Sequence, residues 1–270
     1  MMTDDASALV SRPDLAYGVV DGRPLLLDLL HPDPLPPKPM PAIIFIMGGA
    51  WMEANRKVNF TPFLAAAGFC TVSIDHRLSH EAIFPAQIHD AKAAVRWLRA
   101  NATQYHVDPD RIGVWGISSG AHLAALLGTS AGVVELEGAS GPPGYSSAVQ
   151  AVVAISSPTD FARMGRDPAD ASNAEALLVG GPLGARAEVV RAASPLTYVR
   201  PGLPPFLIVH GEQDEVVPIS QAQLLVAALQ RVGTEVTYVP LPGEGHMLGE
   251  VYETQVQPLI LNFFTRHLQH

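Results

Sequence analysis

The segment "VWGISSGAHLAAL", Val114 to Leu126, sets two adjacent serines between glycines. Gly116, Ser118 and Gly120 fit the pattern G-x-S-x-G, with a strand-like run before them and a helix-like run after. A turn this sharp needs small neighbours two residues either side of its central serine. It lifts the Ser118 hydroxyl clear of a sheet and puts the Ser119 N–H at a helix N-terminus, facing the reacting centre. The chemistry so served is nucleophilic attack on an acyl carbon. The plainer reading is a Ser/Gly turn with Ser119 as an ordinary N-cap. In a chain with 23 glycines one match is weak, and the strand–turn–helix setting is what strengthens it.

Such a serine needs a base, and the base needs an orienting carboxylate. Ten histidines are available. His122 lies one turn into the helix after Ser118, His89 and His106 belong to a surface helix and its exit, and His267 and His270 lie in the C-terminal tail. His76 and His80 follow a strand and could line a cleft; His210 closes a strand and is expected to pack or bond locally. His246, in "LPGEGHMLG", stands in a glycine-flanked loop after the last expected strand and is the favoured base. For the acid, "VHGEQDEVVP" offers Asp214 beside Glu212 and Glu215. Asp160 in "SSPTDF" is the more serious rival, although that segment also reads as a capped helix start. Asp214 is favoured, which gives the chain order Ser118, Asp214, His246. The glycines of "IMGGAW", Ile46 to Trp51, could supply a second oxyanion donor from the backbone, a contribution of roughly 3–4 kcal/mol in comparable enzymes.

These residues must be positioned by a scaffold, and its rhythm is legible. "AYGVV" and "RPLLLDLLH" read as a hairpin across Asp21-Gly22, followed by the proline-rich connection "HPDPLPPKPMP". Then strands alternate with helices: "AIIFIM", "FTPFLAAAG", "FCTVSID", "PAQIHDAKAAVRWLRANATQY", "RIGVWG", "SGAHLAALLG", "AVQAVVAIS", "PPFLIVHG", "ISQAQLLVAALQRVG", "EVTYVPL" and "VYETQVQPLILNFFTRHL". The pattern predicts an α/β fold with a mostly parallel central sheet, helices on both faces and ligands at the carboxyl ends of the strands. The tract 156–205 is too long for a plain connection and predicts short helices forming a lid or pocket wall.

With 270 residues, 48% hydrophobic and 16% charged, the chain suits one catalytic domain over 1–270 with a sizeable core. A net charge of −9 and no basic patch argue against nucleic acid or anionic membrane as partners. Cys70 alone in an apolar run is expected to be a buried hydrophobe; it excludes an intrachain disulfide and metal sites built on cysteine pairs. No metal or organic cofactor is implied. The acidic N-terminus lacks a signal-peptide apolar region and no run is long enough to span a membrane, so the expected location is cytoplasmic. A homo-oligomer is compatible with all of this.

Taken together, "DHRLSHEAIFPAQIHDAKAAVRWLRANATQYHVDPDRIGVWGISSGAHLAALLG", "SPLTYVRPGLPPFLIVHGEQDEVVP" and "LPGEGHML" resemble the α/β-hydrolase carboxylesterases of the hormone-sensitive-lipase-like and feruloyl/acetyl-esterase-like group. The resemblance spans most of the chain and implies an α/β-hydrolase fold, Ser118 as nucleophile, His246 as base and Asp214 as its acid. It implies oxyanion donors from Gly49, Ala50 and Ser119. Two positions depart from the family: Met47 stands where a histidine usually braces the oxyanion loop, and His76 where a tyrosine is common. The short N-terminal arm implies no large cap and an open cleft. The substrate is then a small-molecule ester, of small to medium or aryl type, with Trp51, Ile117, Val216, Val217 and Met247 as candidate pocket residues or core packing. An arylformamidase-type amidase, a catalytically silent binding protein and a peptidase are the rival readings.

Overall fold

The computed structural model describes residues 8–53 and 55–269. It opens with an antiparallel hairpin, β1 (Ala8–Val20) and β2 (Arg23–Asp33), turned at Asp21-Gly22 with both residues at positive φ. The α/β part runs β3 (Met40–Ile46), α1 (Pro62–Ala66), β4 (Cys70–Ile74), α2 (Ala86–Ala100), β5 (Val107–Ile117), α3 (Ser119–Thr129) and β6 (Ala151–Ile155). After α4 (Ala174–Val179) and α5 (Ala187–Ala193) come β7 (Phe206–Gly211), α6 (Ser220–Arg231), β8 (Val236–Leu241) and α7 (Gln257–Leu268).

One eight-stranded sheet in the order β1-β2-β4-β3-β5-β6-β7-β8 carries these elements. The β1–β2 and β2–β4 pairs are antiparallel and all other pairs parallel. The chain leaves β3 toward β4 on one side, then returns past it to β5 on the other. Strand order therefore reverses between β3 and β5, and their carboxyl ends border a crevice. The loop after β3 and the turn after β5 are thus brought side by side by topology.

Strands buried on both faces explain the unbroken apolar runs. In β3, Ala42, Ile44 and Ile46 join a core beneath α2, α3 and α6, whereas Ile43 and Phe45 join a second core under α1 and α7. Cys70 is fully buried, and burial pushes its thiol up to about 12, well away from a reactive thiolate. No helix among the described residues is long and apolar enough to cross a membrane.

Three expectations change. The proline-rich connection is shorter than anticipated, because β2 continues through Pro32 and β3 begins at Met40. Beyond Leu30 the register of β2 is with β1 alone, so a residue without an N–H costs no bond toward β4. The helix expected to reach Tyr105 stops at Ala100, where the Asn101 side-chain amide donates to the Trp97 carbonyl. The last helix starts as a wide π turn at Tyr252–Val256, directly before Pro258 in the first turn of α7.

The segment 156–205 forms short helices, as expected. It walls a cavity of about 550 Å³, lined by residues such as Phe161, Leu183, Val190 and Leu196. It contributes no lining residue to the cleft over Ser118, so it buttresses the site from behind instead of covering it.

Candidate active site

Ser118 sits between β5 and α3 at φ 57° and ψ −124°, outside the ordinary regions for an L-residue. Its N–H donates to the Ile155 carbonyl at 2.8 Å and its carbonyl accepts from the His122 N–H at 3.0 Å. The flanking glycines are required by backbone contacts. A Cβ at Gly116 would lie 2.4 Å from the Gly120 carbonyl, and one at Gly120 would lie 2.0 Å from the Ile46 carbonyl oxygen. Neither neighbour is a side chain that can swing away. Gly120→Ala is therefore expected to lower the melting temperature by about 10 °C or to prevent folding, since forced backbone shifts cost several kcal/mol. Thermal unfolding followed by circular dichroism checks this, and an unchanged midpoint would contradict the packing described.

The Ser118 hydroxyl lies 2.9 Å from His246 Nε2, and His246 Nδ1 lies 2.7 Å from Asp214 Oδ2. The carboxylate acceptor fixes the tautomer: the proton sits on Nδ1, and bare Nε2 accepts from the Ser118 hydroxyl. Asp214 is fixed in turn, its Oδ1 accepting from the N–H groups of Val216 at 2.9 Å and Val217 at 2.8 Å. Burial opposes ionisation of Asp214. Contacts from His210 and His246 and the Val217 N–H outweigh it and hold the carboxyl well below the usual carboxylate range.

The loop carrying His246 crosses the end of β7 at close range. A Cβ on Gly211 would sit 2.4 Å from the carbonyl oxygens of Glu244 and Gly245, so glycine is needed there. The Gln213 N–H donates to the Glu244 carbonyl, and the Ser156 hydroxyl donates to the His246 carbonyl. Asp160, the rival acid, instead caps a short 3-10 turn by accepting from the Ala162 N–H.

The loop after β3 bends through positive φ at Gly49, Ala50 and Trp51 (140°, 54° and 56°). The Gly49 carbonyl accepts from the N–H groups of Met52 and Glu53, while no acceptor among the described residues takes the N–H of Gly49 or Ala50. Ser119 is the first residue of α3, where an N–H has no intrahelical acceptor. Gly49 and Ala50 line the cleft over Ser118, and Ser119 directly follows that serine at the helix start. Trp51 is not a pocket residue. It is 2% exposed, and its indole N–H donates to His122 Nδ1 at 3.1 Å. The other ring nitrogen of His122 donates to the Ala193 carbonyl at 2.7 Å, and Phe161 packs against both rings. Burial lowers His122 to about 4, so this brace is neutral at working pH. It ties the loop after β3 to the 156–205 segment, a brace that does not involve Met47.

The cleft over Ser118 measures about 420 Å³ and is lined by Met47–Ala50, Met52, Glu53, Ile117, Val216, His246 and Met247. Of the five candidate pocket residues, Ile117, Val216 and Met247 lie here. Val217 does not: it is 2% exposed, held inward by its N–H bond to Asp214. Met52, Glu53 and Met47 were missed as lining residues. Met52, Val216 and Met247 expose 40%, 50% and 65% of their surface around the serine, an apolar rim that solvent alone does not favour. His76 is 1% exposed and bonded to its neighbour's carbonyl, away from the cleft.

Comparison with known proteins follows the same lines. The BD-FAE family matches residues 27–229. Esterase LipC of Mycobacterium tuberculosis is 36% identical over 247 residues, 88% of this chain and 60% of that protein. The chain spans 55–60% of the length of LipC and of two further curated esterases that it matches, LipQ and LipM of the same organism. Among solved structures, a truncated carbohydrate esterase from gut microbiota superposes with a TM-score of 0.85 at 34% identity, covering 99% of both chains. The propionate-bound esterase 2 of Thermogutta terrifontis gives a TM-score of 0.78 at 27% identity, covering 97% of this chain and 94% of that one.

Proposed function

The chain belongs to the BD-FAE family of α/β-hydrolase esterases, and we propose that it is a carboxylic ester hydrolase working through an acyl-enzyme on Ser118. The observation that carries this reading is the unbroken chain from Ser118 Oγ through His246 to Asp214, at 2.9 and 2.7 Å. His246 Nε2 takes the hydroxyl proton as Ser118 Oγ bonds to the ester carbonyl carbon. The carbonyl oxygen becomes an oxyanion, held by the N–H groups of Gly49, Ala50 and Ser119. Collapse of this intermediate breaks the bond to the alcohol, which leaves with the proton from His246. Water then attacks the acyl-enzyme, giving up its proton to the same nitrogen, and the carboxylic acid departs with Ser118 restored.

The Met- and Val-rimmed cleft favours an apolar, conformationally adaptable partner, because thioether side chains repack around irregular shapes. Small to medium acyl or aryl esters fit an opening of this size. The propionate held by the Thermogutta relative supports beginning with short acyl groups, and the carbohydrate esterase adds acetylated sugars to the panel.

The test is a hydrolysis panel of p-nitrophenyl esters from acetate to laurate, acetyl-sugar and feruloyl esters, and an N-formyl aryl amide. Turnover of short esters, with amide turnover at least about a hundredfold slower, is the expected result. A preference for the amide would replace this reading with the amidase one. Failure of a fluorophosphonate to label Ser118 would replace it with a binding protein. The Thermogutta relative, phosphorylated by paraoxon, supports using an organophosphorus probe.

A further inference from the structure

A second imidazole touches the catalytic acid. His210, the fifth residue of β7, is fully buried, with Nε2 2.9 Å from the Val217 carbonyl and 3.2 Å from Asp214 Oδ2. Its Nδ1 is buried with no partner. Nε2 faces two oxygens, so the ring carries its proton there; a bare Nε2 would set three acceptors against one another. The N–H points chiefly at Val217, and Asp214 Oδ2 is a longer second acceptor. That same Oδ2 accepts from His246. The Val217 N–H donates to Oδ1 of the acid while its carbonyl receives His210, so one ring closes the turn 214–217 from both ends.

We infer that His210 is a positioning residue for the hydrolysis: its Nε2–H, shared between Val217 and Asp214, locks the acid's turn and competes with His246 for the same carboxylate oxygen. This rests on the ester-hydrolase reading above. The charged and titratable groups around Asp214 are His210 from β7, His246 from the loop after β8 and Glu212 and Glu215 on the acid's own turn. Arg166 reaches over from the 156–205 segment to donate to the Val216 carbonyl at 2.9 Å. Of these groups, the two imidazoles contact the carboxylate itself. Removing one donor leaves more negative potential for the other, while the Val216 and Val217 N–H groups still anchor Oδ1.

The test compares the wild type, His210→Phe, which keeps ring volume without a donor, and His210→Gln, whose amide can donate to the same oxygens. In His210→Phe, kcat/KM for p-nitrophenyl acetate falls about tenfold with KM little changed, as for loss of a bond to a charged group. The acid limb of its pH profile moves up by about half a unit to one unit, in step with a stronger His246–Asp214 attraction. His210→Gln recovers most of both. A merely structural role would lower the melting temperature without moving the limb. An unmoved or downward-shifted limb overturns the inference.

Imidazole 15N NMR on the substrate-free protein keeps the two proposals distinguishable. It reads the His210 tautomer and the pH at which His246 titrates, whether or not any ester is turned over. Should His210→Phe fail to fold, the wild-type spectrum decides alone: Nε2–H at His210 supports the inference, and Nδ1–H overturns it.

Discussion

Ser118→Ala is expected to lower kcat for short p-nitrophenyl esters by at least about 10⁴-fold and to abolish fluorophosphonate labelling. The argument is local. In the proposed mechanism the hydroxyl lost is the group that bonds to the acyl carbon, and no other hydroxyl among the described residues takes its place. Ser119 Oγ is buried without a partner inside the first turn of α3, so it cannot reach a substrate in the cleft. The oxyanion N–H groups and the apolar rim persist, leaving residual catalysis over water that is far below wild type. The fold survives, because alanine meets the same positive φ that serine already endures and only one hydrogen bond, to His246, disappears. A melting temperature within a few degrees of wild type is expected. Turnover within tenfold of wild type by the folded variant would remove Ser118 from the mechanism.

What the sequence could and could not disclose follows the same division between local and long-range causes. The turn at Ser118 is legible because strand, glycines and helix are contiguous, and their conformations are set within a few residues. Asp214 and His246 are legible because each ends a strand–loop unit of recognisable rhythm. Trp51 stays open between pocket wall and core packing in the sequence, because a large apolar residue beside a glycine loop is ambiguous until its partner is known. That partner, His122, is 71 residues away, and nothing in either segment's periodicity announces the pairing. Gly211 is silent for a related reason: its necessity comes from the backbone of a loop more than thirty residues later. His210 was expected to bond locally, and it does, to Val217 seven residues on. The consequence for Asp214 comes from the tightness of that turn, which a residue pattern does not encode. Lining by Met52 and Glu53 was missed because the loop after Gly49 reverses through three consecutive positive-φ residues, two of them not glycine.

Asp214→Asn is the second large effect, and its size comes from orientation. An asparagine here has two ways to lie. The Val216 and Val217 N–H groups, at 2.9 and 2.8 Å, both demand an acceptor at the Oδ1 position. An amide NH₂ placed there would face two donors with none of its own bonds met, so the carbonyl oxygen takes that place and the NH₂ turns to the Oδ2 position. There it meets His246 Nδ1 at 2.7 Å. To accept from the amide, Nδ1 must give up its proton, and the neutral ring then carries it on Nε2, facing the Ser118 hydroxyl. A protonated Nε2 cannot receive the serine proton. The His210 N–H, 3.2 Å from the same position, also loses an acceptor and gains a competing donor. The folded protein should therefore keep its cleft and its oxyanion donors yet lose about 10³–10⁴ in kcat, with KM nearly unchanged; the comparable fall in a serine protease is the established precedent for a reversed tautomer. The 15N spectrum of His246 should show Nδ1–H in the wild type and Nε2–H in the variant. A loss smaller than tenfold, or an unchanged His246 tautomer, would mean that the carboxylate neither orients the ring nor supports its charge, and the acid would have to be sought elsewhere.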